Sequence, residues 1–251
     1  VGAETESLYK FIYPSGLLER EAVCVLDIGF GLGYNTLTLL REAEKKNIRV
    51  CIYAFELHTE PVEMALELFS GRERQVLLSL LDRGVYADDL CEVRIYFGDA
   101  REKIRQVPSS TADCVFLDPF SPPVNPQLWT VEFFKILKSK LRERGKILTY
   151  SSALPVISAF RKAGFYPGYT PPVGRKRAGL IAALDQSDLL FPLNDRDLYF
   201  LSVSVRAVPN YGLKRKKEEI QLYREELKQR LVQLEWRIPH KKAQKIFQKS
   251  L

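Results

Sequence analysis

The 251-residue chain has no apolar run approaching the roughly 18 residues that a membrane-crossing helix needs, so a spanning segment of that kind is excluded. It is also poor in cysteine. Cys24, Cys51, Cys91 and Cys114 stand far apart, with no C-x-x-C spacing, so neither a zinc ribbon nor a disulfide framework is indicated. Each lies in or beside a strand-like run, and reduced, buried thiols without a catalytic role are expected. No internal repeat or low-complexity tract is present, and the first residues show no signal-peptide pattern. A cytoplasmic location is the expectation. With 46% hydrophobic and 27% charged residues, the length suits one large domain or a domain with an appendage.

One more absence narrows the chemistry. The run 23–35, VCVLDIGFGLGYN, delivers an apolar strand directly into a glycine-rich turn. Glycines let the backbone bend sharply and lie against a ligand, and the following helix points free N–H groups at it. A dinucleotide fingerprint is G-x-G-x-x-G, yet counting from Gly29 and Gly31 the third place holds Tyr34. What stands here is D-x-G-x-G-x-G from Asp27. This resembles motif I of the class I S-adenosylmethionine-dependent methyltransferases, whose turn takes up the methionine part of the cofactor. The resemblance implies cofactor contacts at Asp27, Gly29, Phe30, Gly31, Gly33 and Asn35, and S-adenosyl-L-homocysteine as the product.

Strand-like runs alternate with amphipathic stretches, the pattern of a parallel sheet covered by helices. Strands are expected at 22–27, 50–55, 92–97, 113–117 and 146–150, with helices at 34–45, 61–69, 131–141 and 154–163. Further strands at 179–184 and 198–205 complete an α/β, Rossmann-like and mostly parallel seven-stranded sheet. In such sheets ligands bind beyond the carboxyl ends of the strands, where strand order reverses. Pro209, Asn210 and Gly212 mark a break. Three segments are therefore expected: a lead-in over 1–21, the main domain over 22–211, and a basic helical extension over 212–251. The extension holds twelve Lys or Arg against five Asp or Glu, a surplus of seven that equals the net charge of the whole chain, +7. Ile220, Tyr223, Leu227, Leu231 and Leu234 recur at helical steps, and Pro239 is expected to end that helix. Its apolar stripe would pack on the main domain, while its basic face is either a solvated surface or an RNA contact.

Two acids close strands on the cofactor side. Glu56 ends the run 51–55, where an acceptor-only carboxylate can bind both hydroxyls of a ribose. Gly98, Asp99 and Ala100 end the next strand and resemble the methyltransferase motif whose acid accepts from the adenine amino group. Asp99 is equally suited to cap the helix that follows. The fourth strand ends in DPFSPPVNPQLW, 118–129, with four prolines between 119 and 126. Proline fixes φ and donates no N–H, which makes the loop stiff and leaves its carbonyls as acceptors. Asp118 with a loop carbonyl can aim an amine's lone pair, and Phe120 can lie against a cationic sulfonium. Tyr150, at the end of the fifth strand, is a second candidate to orient the amine.

The segments 27–35, 116–130, 146–153 and 163–165, with the GRKR run at 174–177, are similar to the methyltransferase component of the MnmC family, the tRNA 5-methylaminomethyl-2-thiouridine biosynthesis enzymes. That resemblance implies S-adenosylmethionine-dependent methylation of the amino group of 5-aminomethyl-uridine, often 2-thiolated, at the tRNA wobble position. It assigns the catalytic acid position to Asp118. No metal is implied. Some members carry a flavin-dependent oxidase domain as well, for which this chain is too short, so a stand-alone methyltransferase without FAD is expected. The lead-in looks abbreviated, and substrate-contacting residues upstream of Val1 belong to the same expectation. The anticodon arm of tRNA is the implied partner, with Arg175, Lys176 and Arg177 as a phosphate clamp and Trp129 or Phe120 as a plane for an extruded base. Where family members often have Glu after GRKR, this chain has Ala178, which leaves that acid's role open. The competing readings are a class I amine methyltransferase or aminopropyltransferase acting on a small molecule, and a non-catalytic RNA-binding domain of the same fold.

Overall fold

The computed structural model describes residues 2–172 and 178–249. Its strands are β1 (Ala22–Ile28), β2 (Arg49–Glu56), β3 (Val85–Ala87), β4 (Cys91–Phe97), β5 (Ala112–Leu117), β6 (Leu141–Thr149), β7 (Tyr166–Tyr169), β8 (Leu180–Ala183) and β9 (Phe191–Pro192). They form one sheet in the order β3-β4-β2-β1-β5-β6-β8-β7-β9. The central five, β4-β2-β1-β5-β6, run parallel, and both flanks are antiparallel. Among the described residues the sheet therefore has nine strands rather than seven, because the short edge strands β3 and β9 extend it.

The helices are α1 (Ala3–Ser7), α2 (Tyr13–Ser15), α3 (Tyr34–Lys45), α4 (Glu60–Ala65), α5 (Gly71–Arg83), α6 (Ala100–Lys103), α7 (Val131–Lys140), α8 (Leu154–Lys162), α9 (Asp195–Val203), α10 (Lys217–Gln233) and α11 (His240–Lys249). They cover both faces of the sheet, so inner strands are apolar on both sides. In β1, Val23 and Val25 pack towards Leu37, Leu40 and Val76. Leu26 and Ile28 pack the other way, towards Trp129, Phe133 and Ile157. The same split in β5 sends Cys114 and Phe116 to the first face and Val115 and Leu117 to the second. This double burial is why both strands read as unbroken apolar runs. None of the four cysteines is in a disulfide, and only Cys51 is not fully buried.

Two expectations are corrected. Residues 198–205, expected as a strand, fall in α9 and the turn after it. A reciprocal capping box decides this: Asn194 accepts from the Asp197 N–H, and Asp197 accepts from the Asn194 N–H. The antiparallel strand expected there is supplied by β7, whose Pro167 and Gly168 hide it in the sequence. Pro239 does not end the tail helix. That helix stops at Gln233, the chain turns through Glu235 at φ +57°, and Pro239 precedes a second helix, α11. Of the expected apolar stripe only Ile220 is fully buried.

Residues 209–212, read as a break, are bound to the main body. Thr130 and Asn210 form a bridge, the Val131 N–H donates to the Asn210 carbonyl at 3.1 Å, and the Gly212 N–H donates to Glu132 at 3.1 Å.

Candidate active site

The strand order reverses between β1 and β5, and the two segments expected to carry chemistry meet there. The Asp118 N–H donates to the Ile28 carbonyl at 2.9 Å, joining the proline loop to the glycine turn. Gly29 and Phe30 both donate their N–H groups to the Phe55 carbonyl at 3.0 Å, which folds the turn back over β2. Gly29 has φ +85°, and a Cβ there would lie 2.8 Å from the Pro119 backbone. Only glycine allows that approach. Gly33, at φ +83°, meets the buried Phe30 ring, where a Cβ would sit 2.8 Å from its edge. Gly33 lines neither of the cavities described next, so it shapes the turn from behind.

A cavity of about 690 Å³ opens beyond the strand ends. Gly29, Gly31, Glu56, Asp99, Ala100, Asp118, Phe120 and Tyr150 all line it, which brings together eight of the expected site residues. A second cavity of about 390 Å³ lies on the N-terminal side, against Glu6, Ser7, Phe30, Tyr34 and Asn35, and shares Gly29, Gly31, Asp118 and Tyr150 with the first. The volume and the convergent polar groups suit an elongated ligand with one polar end.

Glu56 is fixed by backbone donors on both oxygens, from Gly31 at 2.8 Å and Leu57 at 2.7 Å. A carboxylate oxygen has a second lone pair, so both remain able to accept a hydroxyl. Asp99 caps α6 by accepting from the Arg101 N–H at 2.9 Å, and it also takes the Arg101 guanidinium at 2.6 Å. Burial acts to raise its carboxyl, yet these Arg101 bonds prevail and hold it below the usual carboxylate range. The Arg101 guanidinium continues to the Leu213 carbonyl at 2.7 Å and the Arg215 carbonyl at 3.1 Å.

Asp118 is open to both cavities yet closely surrounded by protein. Burial pushes its carboxyl up to about 6, against the hydrogen bond that the Asn35 amide donates at 2.9 Å. Asn35 in turn accepts from the buried Ser7 hydroxyl at 2.7 Å. Asn35, expected at the cofactor, lines the second cavity and is also tied to the acid. Ser7 carried no signal in the sequence, because nothing marks the lead-in helix as a wall of the site. Asp27 lies behind the turn, fully buried. Its one oxygen accepts from Thr36 at 2.7 Å and the other has no partner among the described residues. Desolvation carries it up to about 7 against the Thr36 bond, helped by the nearby Asp118 and Glu56 charges.

The loop is held by two aromatic side chains. The Tyr150 hydroxyl donates to the Pro119 carbonyl at 2.9 Å, and the Trp129 indole donates to the Phe120 carbonyl at 2.9 Å. Two carbonyls expected to be free are thus engaged. Burial and the Asp118 charge push Tyr150 up to about 12, so it keeps its proton for that bond. Trp129 is corrected as a stacking plane: it is 1% exposed and offers no open face. Phe120, at 75% exposed, is the ring left at the mouth. Arg175, Lys176 and Arg177 lie outside the described residues. Among the described residues no cluster of metal-ligating side chains occurs, and no helix is long and apolar enough to cross a membrane.

The fold and this site define a class I S-adenosylmethionine-dependent methyltransferase. A family model described as S-adenosyl-L-methionine-dependent methyltransferase matches residues 67–185. The crystal structure of MnmC2 from Aquifex aeolicus is 35% identical with a TM-score of 0.76, over 89% of this chain and 74% of that one. The uncharacterised protein MJ0670 of Methanocaldococcus jannaschii is 30% identical over 93% of this chain and 68% of its own. The tRNA 5-methylaminomethyl-2-thiouridine biosynthesis bifunctional protein MnmC of Azoarcus sp. strain BH72 is 32% identical over 70% of this chain. The match spans only 31% of that bifunctional protein's length. The chain belongs to the MnmC methyltransferase family, and its cofactor is S-adenosyl-L-methionine.

Proposed function

We propose that the chain methylates the amino group of 5-aminomethyl-(2-thio)uridine at the wobble position of tRNA, giving the 5-methylaminomethyl nucleoside. The observation that carries this reading is Asp118, held on a stiff loop against the glycine turn and open to both cavities. The likeness to MnmC2 and MnmC supports the acceptor. In this reading 1–21 leads in, 22–211 is the methyltransferase domain with Arg175, Lys176 and Arg177 on the anticodon arm, and 212–251 is a basic appendage that contacts the same RNA. The cytoplasm is the matching location.

Bound S-adenosylmethionine supplies an electrophilic methyl group on a sulfonium. The chain's part is to place and prepare the nucleophile. Glu56 is assigned to the ribose hydroxyls and Asp99 with Ala100 to the adenine. Asp27, Gly29, Phe30, Gly31, Gly33 and Asn35 are assigned to shaping and lining the methionine end. Only a neutral amine attacks, and an ionised Asp118 accepts hydrogens from it and takes up its proton, directly or through water. A carboxyl at about 6 is ionised in most molecules at neutral pH, yet basic enough to hold a proton briefly. Phe120 and the loop held by Tyr150 and Trp129 fix the approach, and positioning of this kind reaches effective molarities on the order of 10⁵ M or more. The test is incubation with labelled cofactor and undermodified tRNA, followed by nucleoside analysis. Label on 5-aminomethyl-(2-thio)uridine is expected, and tRNA without label defeats the proposal.

A further inference from the structure

The positive surplus of the last forty residues is not spread evenly. In α10 the charges cancel: Lys217, Arg224, Lys228 and Arg230 stand against Glu218, Glu219, Glu225 and Glu226. Lys228 is paired with Glu225, and Arg224 is turned inward, donating to the Val208 carbonyl at 2.7 Å. By contrast α11 carries Lys241, Lys242, Lys245 and Lys249 with no acidic residue, and all four are exposed. None of them is in an ion pair recorded among the described residues. Its inner side is fully used. Ala243 is buried, the Phe247 ring packs on Tyr199 and Phe200, and His240 lies against Phe200 with Nδ1 2.9 Å from the Ser204 hydroxyl.

The fold adds two cations from outside the helix. Arg196 of α9 lies over the Phe200 ring, and Arg206 follows α9; both are exposed. The Arg206 N–H donates at 3.2 Å to the same Ser204 hydroxyl that meets His240, and Arg196 lies over the same Phe200 ring that His240 packs on, so both arginines adjoin the start of α11; burial and then their charges hold His240 below its usual value. Residues from Arg196 to Lys249 thus contribute to one basic region.

We infer that α11 with Arg196 and Arg206 is a docking face for the phosphate backbone of RNA, in the proposed substrate the tRNA body away from the reacting base. This rests on the tRNA reading of the active site. Two observations favour RNA over an anionic membrane. Bilayer binding needs an apolar helix face to insert, whereas here that face is occupied by Tyr199 and Phe200, leaving Ile246 alone at 44% exposed. The cations are also spread over two helices and a turn, which suits a curved line of phosphates.

The experiment compares the full chain with the variant K241Q/K242Q/K245Q/K249Q, and with K45Q/K46Q as a control on another surface. Binding of a dye-labelled tRNA transcript is followed by anisotropy between 50 and 300 mM KCl, with circular dichroism confirming the fold. Glutamine keeps helix propensity, and the apolar anchor is untouched. The variant is expected to bind about 10-fold or more weakly at 100 mM salt, with its salt slope shallower by about 2 to 4. R196Q/R206Q should add a smaller loss in the same direction, while the control matches wild type. Unchanged affinity and slope overturn the docking face, as does a wild-type chain that binds phosphatidylglycerol vesicles but not tRNA. Nucleoside analysis of undermodified cellular tRNA, incubated with the same proteins and labelled cofactor, separates the two proposals. Methylated tRNA with an unchanged slope removes the docking face alone, and a reduced slope without methylation removes the acceptor alone.

Discussion

Asp118 and Asp27 share a cause, burial, and differ in what relieves it. Asp118 has an amide donor and two cavities, so it can ionise near neutral pH and act on a substrate proton. Replacing it with Asn should lower turnover by about 10² to 10⁴-fold while cofactor affinity changes little. The wild-type rate should rise with pH through about 6, and this limb should vanish in the residual activity of the Asn variant. A limb that survives would assign it to another group. Asp27 has no such outlet, with one oxygen unpartnered. Its folded-state value of about 7 lies above the ordinary one, so the fold binds its proton more tightly than the unfolded chain does. The associated stability is full below about pH 4 and is lost as pH rises through 7. In cofactor-free protein, Asp27→Asn should therefore gain ~1–3 kcal/mol over wild type at pH 8 and nothing at pH 4, read from denaturant midpoints. An equal effect at both pH values would contradict the burial argument. Gly29→Ala should cost more than ~1 kcal/mol and weaken cofactor binding, since its methyl meets the Pro119 backbone at positive φ.

At the level of elements, the sequence was legible where burial is symmetrical and signals are local. β1 and β5 show as unbroken apolar runs because helices cover both their faces, β4 shows as an alternation in which Glu92 and Arg94 face outward, and α3 begins at Tyr34 as its pattern requires. The acids at strand ends were legible because an ionisable residue closing an apolar run is conspicuous. What stayed hidden depends on long-range contact. α9 was masked by a strand-like run that its capping box overrides, and β7 by Pro167 and Gly168. The Ser7 to Asn35 to Asp118 chain joins residues 28 and 83 positions apart, which no local pattern encodes. Trp129 looked like a substrate platform because aromatic residues suit both cores and surfaces; its indole N–H bond to Phe120 shows a loop anchor. Behind that loop, Phe160 stacks on Phe134 at 4.0 Å between ring centres. Phe160→Ala should cost about 3–5 kcal/mol in chemical denaturation. A loss below ~1 kcal/mol would mean that α7 and α8 repack freely.

Over the whole molecule, the C-terminal segment is wired into the wall of the larger cavity. Arg101 joins Asp99 to the Leu213 and Arg215 carbonyls, and the Gln221 amide donates to the Pro123 carbonyl of the proline loop at 3.0 Å. Arg101→Gln should release this segment, seen as faster chymotrypsin cleavage near Tyr211 and Tyr223; unchanged cleavage would show that packing of α10 alone secures it. The arrangement places the methyltransferase site under a loop that α10 helps to hold. The most direct measurement is single-turnover transfer of labelled methyl to undermodified tRNA by wild type and Asp118→Asn, with digestion to nucleosides. Label on 5-aminomethyl-(2-thio)uridine is expected with wild type, with at least about 100-fold slower transfer by the variant. Label absent from tRNA, or equal rates for the two proteins, would contradict Asp118-assisted methylation of the wobble nucleoside.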